Sequence, residues 1–152
     1  MRFFITLCAG IACAVTLASC SSPTQSINFQ APSGWSGTPS FFGFQAWTSP
    51  DKKQVLLLAR LPVSANMNTA MQQSNFQSMQ TTAQKRIKIC GNQPAVEITG
   101  RGENRGNQTE QEMEMIFTSY SNATYLSIYS RDVGEPVNAQ AEAALTELCQ
   151  HS

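Results

Sequence analysis

Residues 109–131 read TEQEMEMIFTSYSNATYLSIYSR, two runs of strand-forming residues separated by a polar pair. Runs of this kind on either side of a short polar segment are typical of a β-hairpin. Residues 109–120 and 123–131 are therefore predicted to form its two arms, with the turn at Ser121-Asn122. The hairpin indicates that the fold contains antiparallel strands.

Side chains alternate between the two faces of a strand. In the second arm Leu126 and Ile128 share one face, and Tyr125, Ser127 and Tyr129 share the other. Aromatic side chains that are exposed together form a binding patch, whereas buried ones pack in the core. This mixed face makes Tyr125 and Tyr129 candidate binding residues, with core packing as the alternative.

Three strands are predicted between residues 27 and 61. Residues 27–31 alternate and end at Pro32. Residues 41–48 and 54–61 form a second hairpin around the polar turn 49–53. Residues 55–59 are apolar on both faces, which indicates a central strand covered on both sides.

A helix is predicted to begin at Asn66 or Asn68, either of which can cap it, and to end near Lys85. Its apolar residues form two arcs almost half a turn apart, so the helix is either buried on two sides or broken midway.

Strands at 86–90 and 95–99 follow, then a polar glycine-containing loop at 100–107. A final helix from about Asn138 carries an apolar face at helical spacing, formed by Ala141, Ala144, Leu145 and Leu148.

Antiparallel strands with an internal and a terminal helix indicate an α+β fold in one domain, residues 27–152. The spacings Phe29-x-x-Pro32-x-Gly34-Trp35, Phe44-x-x-Trp47 and Cys90-Gly91-x-x-Pro94-Ala95, with the Ala-Leu helix, resemble PsbP-like and Mog-type domains. The resemblance implies an α/β/α sandwich with an antiparallel sheet. Members of this fold differ in function, so it assigns no functional residue.

The chain begins with Met1-Arg2 and an apolar run to Leu17, too short to span a bilayer and typical of a secretory signal. Leu17-Ala18-Ser19-Cys20 follows and resembles the bacterial lipobox. The resemblance implies that residues 1–19 are removed, that Cys20 is lipidated and that residues 20–26 form a tether. A secretory signal with a chance cysteine is the alternative. Two or more acyl chains anchor a protein stably, so we expect attachment to the cell membrane or outer membrane.

Two of the five cysteines, Cys8 and Cys13, lie in the signal, and Cys20 is consumed by lipid. Cys90 and Cys149 remain, and an even number in an oxidising compartment predicts a disulfide. Two free buried thiols are the alternative. A metal site is disfavoured, because two cysteines and His151 fall short of a four-ligand set.

Composition limits the possible partners. Arg2 leaves with the signal, so nine basic side chains remain beside ten acidic ones. This balance gives no electrostatic footprint for nucleic acid, and we expect no cofactor. Arg101 and Arg105 in the predicted glycine-containing loop are candidate contacts for an anionic partner.

The sequence contains few residues that are suited to a catalytic site. His151, the only histidine, stands next to the chain end. The carboxylates Glu110, Glu112 and Glu114 alternate along one strand, an arrangement that permits a cation site or an acid–base pair but is more typical of a solvated face. The sequence predicts a non-enzymatic envelope module that binds a protein or small ligand. An envelope enzyme using carboxylates and a purely structural component are the alternatives.

Overall fold

A computed structural model describes residues 27, 29–38, 43–62, 79–104 and 108–150 of the chain. Within these residues it contains seven strands and one helix. They are β1 (Ser36–Gly37), β2 (Phe44–Thr48), β3 (Gln54–Leu61), β4 (Gln80–Ile89), β5 (Gln93–Asn104), β6 (Thr109–Ser119), β7 (Thr124–Asp132) and α1 (Ala139–Leu145).

The seven strands form one antiparallel sheet in the order β1-β2-β3-β7-β6-β5-β4. The predicted hairpin of residues 109–131 is confirmed as β6 and β7, at the middle of the sheet. The predicted strand 54–61 coincides with β3, which lies between β2 and β7. The chain thus builds one half of the sheet with β1 to β3 and the other half with the meander β4 to β7.

The two sides of the sheet carry separate apolar clusters. One side, called here the first face, buries Leu56, Ile116 and Tyr125 against α1 and the residues that follow it. The opposite side, the second face, buries Met115 and Ile128 with their neighbours. Alternation along each strand therefore assigns every strand side chain to one of these faces.

The helix α1 begins where the sequence predicts. Asn138 is its N-cap, and the side chain accepts hydrogen bonds from the backbone N–H groups of Gln140 and Ala141 at 3.0 and 3.1 Å. Such a cap satisfies two donors that have no partner within the helix. The predicted apolar side chains Ala141, Ala144, Leu145 and Leu148 are all buried.

The predicted disulfide is confirmed. Cys90 in the β4–β5 turn and Cys149 are bonded, and their Cα atoms lie 5.6 Å apart. The Tyr120 hydroxyl donates to the carbonyl of Leu148 at 2.7 Å. The segment after α1 is therefore fixed to the sheet by a covalent bond and a hydrogen bond.

The α+β prediction with an internal helix is wrong, since the described part of the chain is mainly β. The predicted helix was to reach Lys85, but Gln80 already starts β4, whose first seven residues are all exposed and show no alternation of burial. An edge strand with so little buried surface leaves no period-two signal in the sequence. Residues 63–78, which hold the rest of that predicted helix, lie outside the described residues.

Two further predictions need correction. Of the predicted strand 27–31, Ile27 makes only an isolated bridge with Gln150. Residues 100–104, predicted as loop, belong to β5. A Cβ at Gly100 would come within 2.6 Å of the Gln80 carbonyl oxygen, so this glycine allows β4 and Met79 to pack closely.

Candidate functional site

A groove of about 490 Å³ lies on the first face, beside the start of α1. Two rows of side chains cross the sheet beneath it. Thr99, Glu114 and Tyr129 form one row, and Arg101, Glu112 and Arg131 the other. We call this cavity the Glu114 groove; Val137 and Glu142 close it on the helix side.

The arginine row is an ion-pair network centred on Glu112. Arg101 donates through Nη2 to Glu112 Oε1 at 2.8 Å, and Arg131 pairs with the other carboxylate oxygen. Arg131 Nη1 also donates to the carbonyl of Glu135 at 2.8 Å. Both oxygens of Glu112 are thus occupied, and Arg131 ties the sheet to the segment that leads into α1.

Glu114 is half-buried and forms no ion pair within the described residues. Burial, followed by the negative charges of Glu97 and Glu142, raises the pKa of Glu114; the positive charges of Lys85 and Arg131 oppose this shift. Removing a carboxylate from water and placing it near like charges both disfavour its ionised form. The surroundings of Glu114 therefore disfavour its ionised form relative to water, and a ligand that supplies a hydrogen bond or positive charge would offset this effect.

Tyr129 joins the groove to the helix. Its hydroxyl donates to Gln54 Oε1 at 2.7 Å and accepts from the backbone N–H of Asn138 at 2.9 Å. Burial raises the pKa of Tyr129, although the hydrogen bond from Asn138 opposes this. The neutral phenol holds the N-cap residue of α1 in place, so the groove has a fixed wall on that side.

The predicted site residues do not all lie at one site in the structure. Arg101 and Tyr129 line the Glu114 groove. Tyr125 is 2% exposed, with its ring edge-on to Tyr120 and no hydrogen-bond partner for its hydroxyl in the described structure. Burial thus places Tyr125 in the core. Arg105 and Cys20 lie outside the described residues, as does His151.

Sequence reasoning missed Glu114 and Arg131 as members of one site. Glu112 and Glu114 were expected on a solvated face, yet both are half-buried, while Glu110 is exposed. The pairing of Arg101, Glu112 and Arg131 across three strands depends on strand register. The alternation of the carboxylates was visible in the sequence, but the residues that lie opposite them on the neighbouring strands were not.

The groove offers one half-buried carboxyl group without an ion pair among the described residues, that of Glu114, beside the exposed carboxyl group of Glu142 on α1. Glu112 is held by two guanidinium groups, so Glu112 and Glu114 do not form the free pair that acid–base catalysis uses. No cluster of three metal-ligating side chains occurs among the residues that the structure describes. The arrangement is suited to binding a polar ligand through charge and hydrogen bonds.

A second hollow, of about 630 Å³, lies on the second face near the β4–β5 turn. Pro94, Val96 and Phe117 supply apolar surface, and Arg86 stands at its border. In register, Arg86 lies opposite Val96, and Val96 lies opposite Phe117. We call this cavity the Phe117 hollow.

No protein-family model and no curated protein matches the chain. A Bacteroides thetaiotaomicron crystal structure is similar with a TM-score of 0.54 and 12% identity, over 82% of this chain and 44% of that one. This chain therefore spans less than half of that protein, and the likeness concerns fold alone. A Pseudomonas aeruginosa protein of unknown function, PA94, matches with a TM-score of 0.45 and 11% identity, over 68% of this chain and 75% of that one, too weakly to define a fold. The resemblance to PsbP-like domains stays a prediction.

Proposed function

We propose that this chain is a lipoprotein of the bacterial cell envelope, in which Cys20 holds a non-enzymatic binding module at a membrane. The observation that carries this proposal is the Cys90–Cys149 bond. Structural disulfides persist in oxidising compartments and are rare in the cytosol of mesophiles. The bond therefore supports export, and the lipobox-like Leu17-Ala18-Ser19-Cys20 supplies the attachment point.

The residues described by the structure include no helix that is both long enough and apolar enough to cross a membrane. The proposal therefore assigns attachment to acyl chains on Cys20, and two such chains give a stable anchor.

The Glu114 groove is the proposed ligand site of the module. Its available carboxyl group and its arginine row favour a small or peptidic ligand with polar groups. An envelope enzyme is the second candidate, favoured by the raised pKa of Glu114. Binding is the better supported of the two, because both oxygens of Glu112 are taken up by arginines, and Glu142, the other carboxyl group of the groove without an ion pair in the described structure, is exposed to solvent on α1.

Intact-mass analysis of protein extracted from membranes tests the proposal. The expected mass is that of residues 20–152 plus lipid, and Cys20→Ser should leave unprocessed precursor in the membrane. Cys90→Ser is the matched control, since it removes a different cysteine and should leave processing unchanged. A mature chain that starts elsewhere without acyl mass would contradict the lipoprotein proposal.

A further inference from the structure

The two edges of the sheet differ greatly in length. β1, at one edge, has two residues, whereas β4, at the other, has ten, of which eight are exposed. Among the described residues no strand pairs with the outer side of β4. An edge strand of this kind presents a row of unpaired N–H and C=O groups that another chain can join.

The pairing of β4 with β5 is irregular near one end and regular beyond it. A register shift falls between Thr81 and Ala83, and from Ala83 to Ile89 each residue opposes one residue of β5. The described strand contains no proline. The regular part is therefore long enough for a strand of ordinary length to add to it.

The two faces of this edge differ in chemistry. On the second face Arg86 has no hydrogen bond or ion pair with any described residue, and Lys88 has only a contact of 3.4 Å with Asn92. On the first face Lys85 is paired with Glu97 at 2.6 Å. The second-face side of the edge thus carries two available positive charges.

The first-face side of β4 is apolar beyond Lys85. Ile87 is half-buried and packs against the first-face cluster, and Ile89 is buried within it. A strand added beside β4 places alternate side chains on the two faces. Acidic side chains would meet Arg86 and Lys88, and β-branched apolar side chains would meet Ile87.

We infer that β4 is the docking edge for an extended acidic segment of a partner protein, in which acidic and β-branched residues alternate. Exposed edges are often protected by lysine against pairing with further copies, and here two copies joined edge to edge would bring like charges together. The same charges attract an acidic strand. This inference goes beyond the proposed function, because the edge of β4 is a second binding site apart from the Glu114 groove.

The probe is a fluorescent peptide of about seven residues in which glutamate and valine alternate. It is titrated against full-length lipidated protein in detergent, and polarisation gives Kd. The Arg86→Glu/Lys88→Glu variant should raise Kd by on the order of tenfold or more, because it replaces attraction by repulsion at two positions. Lys52→Glu/Arg60→Glu is the matched control: it makes the same change in net charge away from β4 and should leave Kd unchanged.

Backbone pairing is tested with two versions of the peptide, N-methylated at alternate sets of residues. Addition to a strand edge requires one of these versions to lose binding, and hydrogen exchange at β4 amides should slow when the parent peptide binds. Equal binding of both N-methylated peptides, equal binding of a lysine–valine peptide, or absence of any binding would overturn the inference. Protection of β4 that rises with protein concentration alone would instead assign the edge to a second copy. Lipid mass is measured separately on the same sample, so the lipoprotein proposal and this inference can fail independently.

Discussion

The two ends of the first face are built differently. At one end Leu145 and Leu148 are fully buried, the Ser127 hydroxyl donates to the carbonyl of Leu145 at 2.8 Å, and the disulfide closes the border. We call this the sealed end. At the other end the Glu114 groove leaves half-buried charges in contact with solvent.

The sealed end contains interactions that stabilise the fold, whereas the groove is the proposed ligand site. The sealed end has a covalent bond, apolar packing and the buried hydrogen bond from Ser127 to Leu145, each of which stabilises the fold. The groove holds Glu114 with a raised pKa, so its ionised form is disfavoured by its surroundings. Sites often depart from the rules that stabilise a fold and are compensated elsewhere. Here α1 connects both ends, because Tyr129 fixes its start and the disulfide fixes the segment beyond it.

The largest expected effect comes from opening the sealed end. Cys90→Ser/Cys149→Ser removes a crosslink between residues 59 apart in sequence, which the chain-entropy model values at about 4 kcal/mol. We expect the free energy of unfolding to fall by about 2–5 kcal/mol. Urea unfolding followed by the fluorescence of Trp35 and Trp47, which pack against the first-face cluster, measures it. Reduction of the unmodified protein should produce a similar loss, and an unchanged urea midpoint would mean that the bond does not stabilise the fold.

A smaller effect is expected from one hydrogen bond at the sealed end. Ser127→Ala removes the donor to the Leu145 carbonyl, and Ser127 is fully buried. A buried acceptor left without a partner costs about 1–3 kcal/mol. The control is Ser36→Ala, an exposed serine on β1, which should change stability by less than about 0.5 kcal/mol. Equal effects of the two substitutions would show that the Ser127 hydrogen bond contributes nothing particular.

The elements predicted correctly are those whose signals are local. The limits of β3 follow from a run of apolar residues between two turns, and the start of α1 follows from a capping asparagine. The disulfide followed from counting the cysteines that lie outside the predicted signal and lipobox. Residues 80–85 of β4 were assigned to a helix because they are exposed and bury too little surface to impose alternation, whereas residues 86–89 were predicted as a strand. Gly100 was predicted to lie in a loop. It lies in a strand, where the close approach of β4 and Met79 leaves no room for a side chain, and both of those come from another part of the chain.

The candidate site was predictable only in part. Arg101 and Tyr129 were singled out, and both line the groove. Their relation to Glu114 depends on which residue opposes which across β5, β6 and β7. Strand register is set by packing of the whole sheet, so no short stretch of sequence contains it. Tyr125 and Tyr129 share a strand face, yet only Tyr129 borders a groove, because α1 begins near it.

The smallest expected effect is a pH-dependent gain in the free energy of unfolding when Glu114, in the groove at the other end of the first face, is replaced by glutamine. Since the pKa of Glu114 is raised in the folded protein above its ordinary value of 4.5, the folded state binds its proton more tightly than the unfolded state does. Its contribution to stability is therefore fully present below pH 4.5 and is lost as the pH rises through the higher folded pKa. Glu114→Gln removes this loss, so the variant should gain stability relative to the unmodified protein above that window and show no such gain below it.

Solvent reaches the half-buried carboxyl group and screens it, so we expect the gain from Glu114→Gln at neutral pH to stay within about 0.5 kcal/mol. Urea unfolding of both proteins at several pH values between about 4 and 8 measures the difference. Glu110→Gln is the matched control, because it makes the same substitution at an exposed position of the same strand. A gain for Glu114→Gln that is largest at low pH and disappears at neutral pH would reverse the sign and would mean that the groove stabilises the ionised carboxylate. The groove would then stabilise the fold as the sealed end does, and Glu114 would no longer be a carboxyl group available to a ligand.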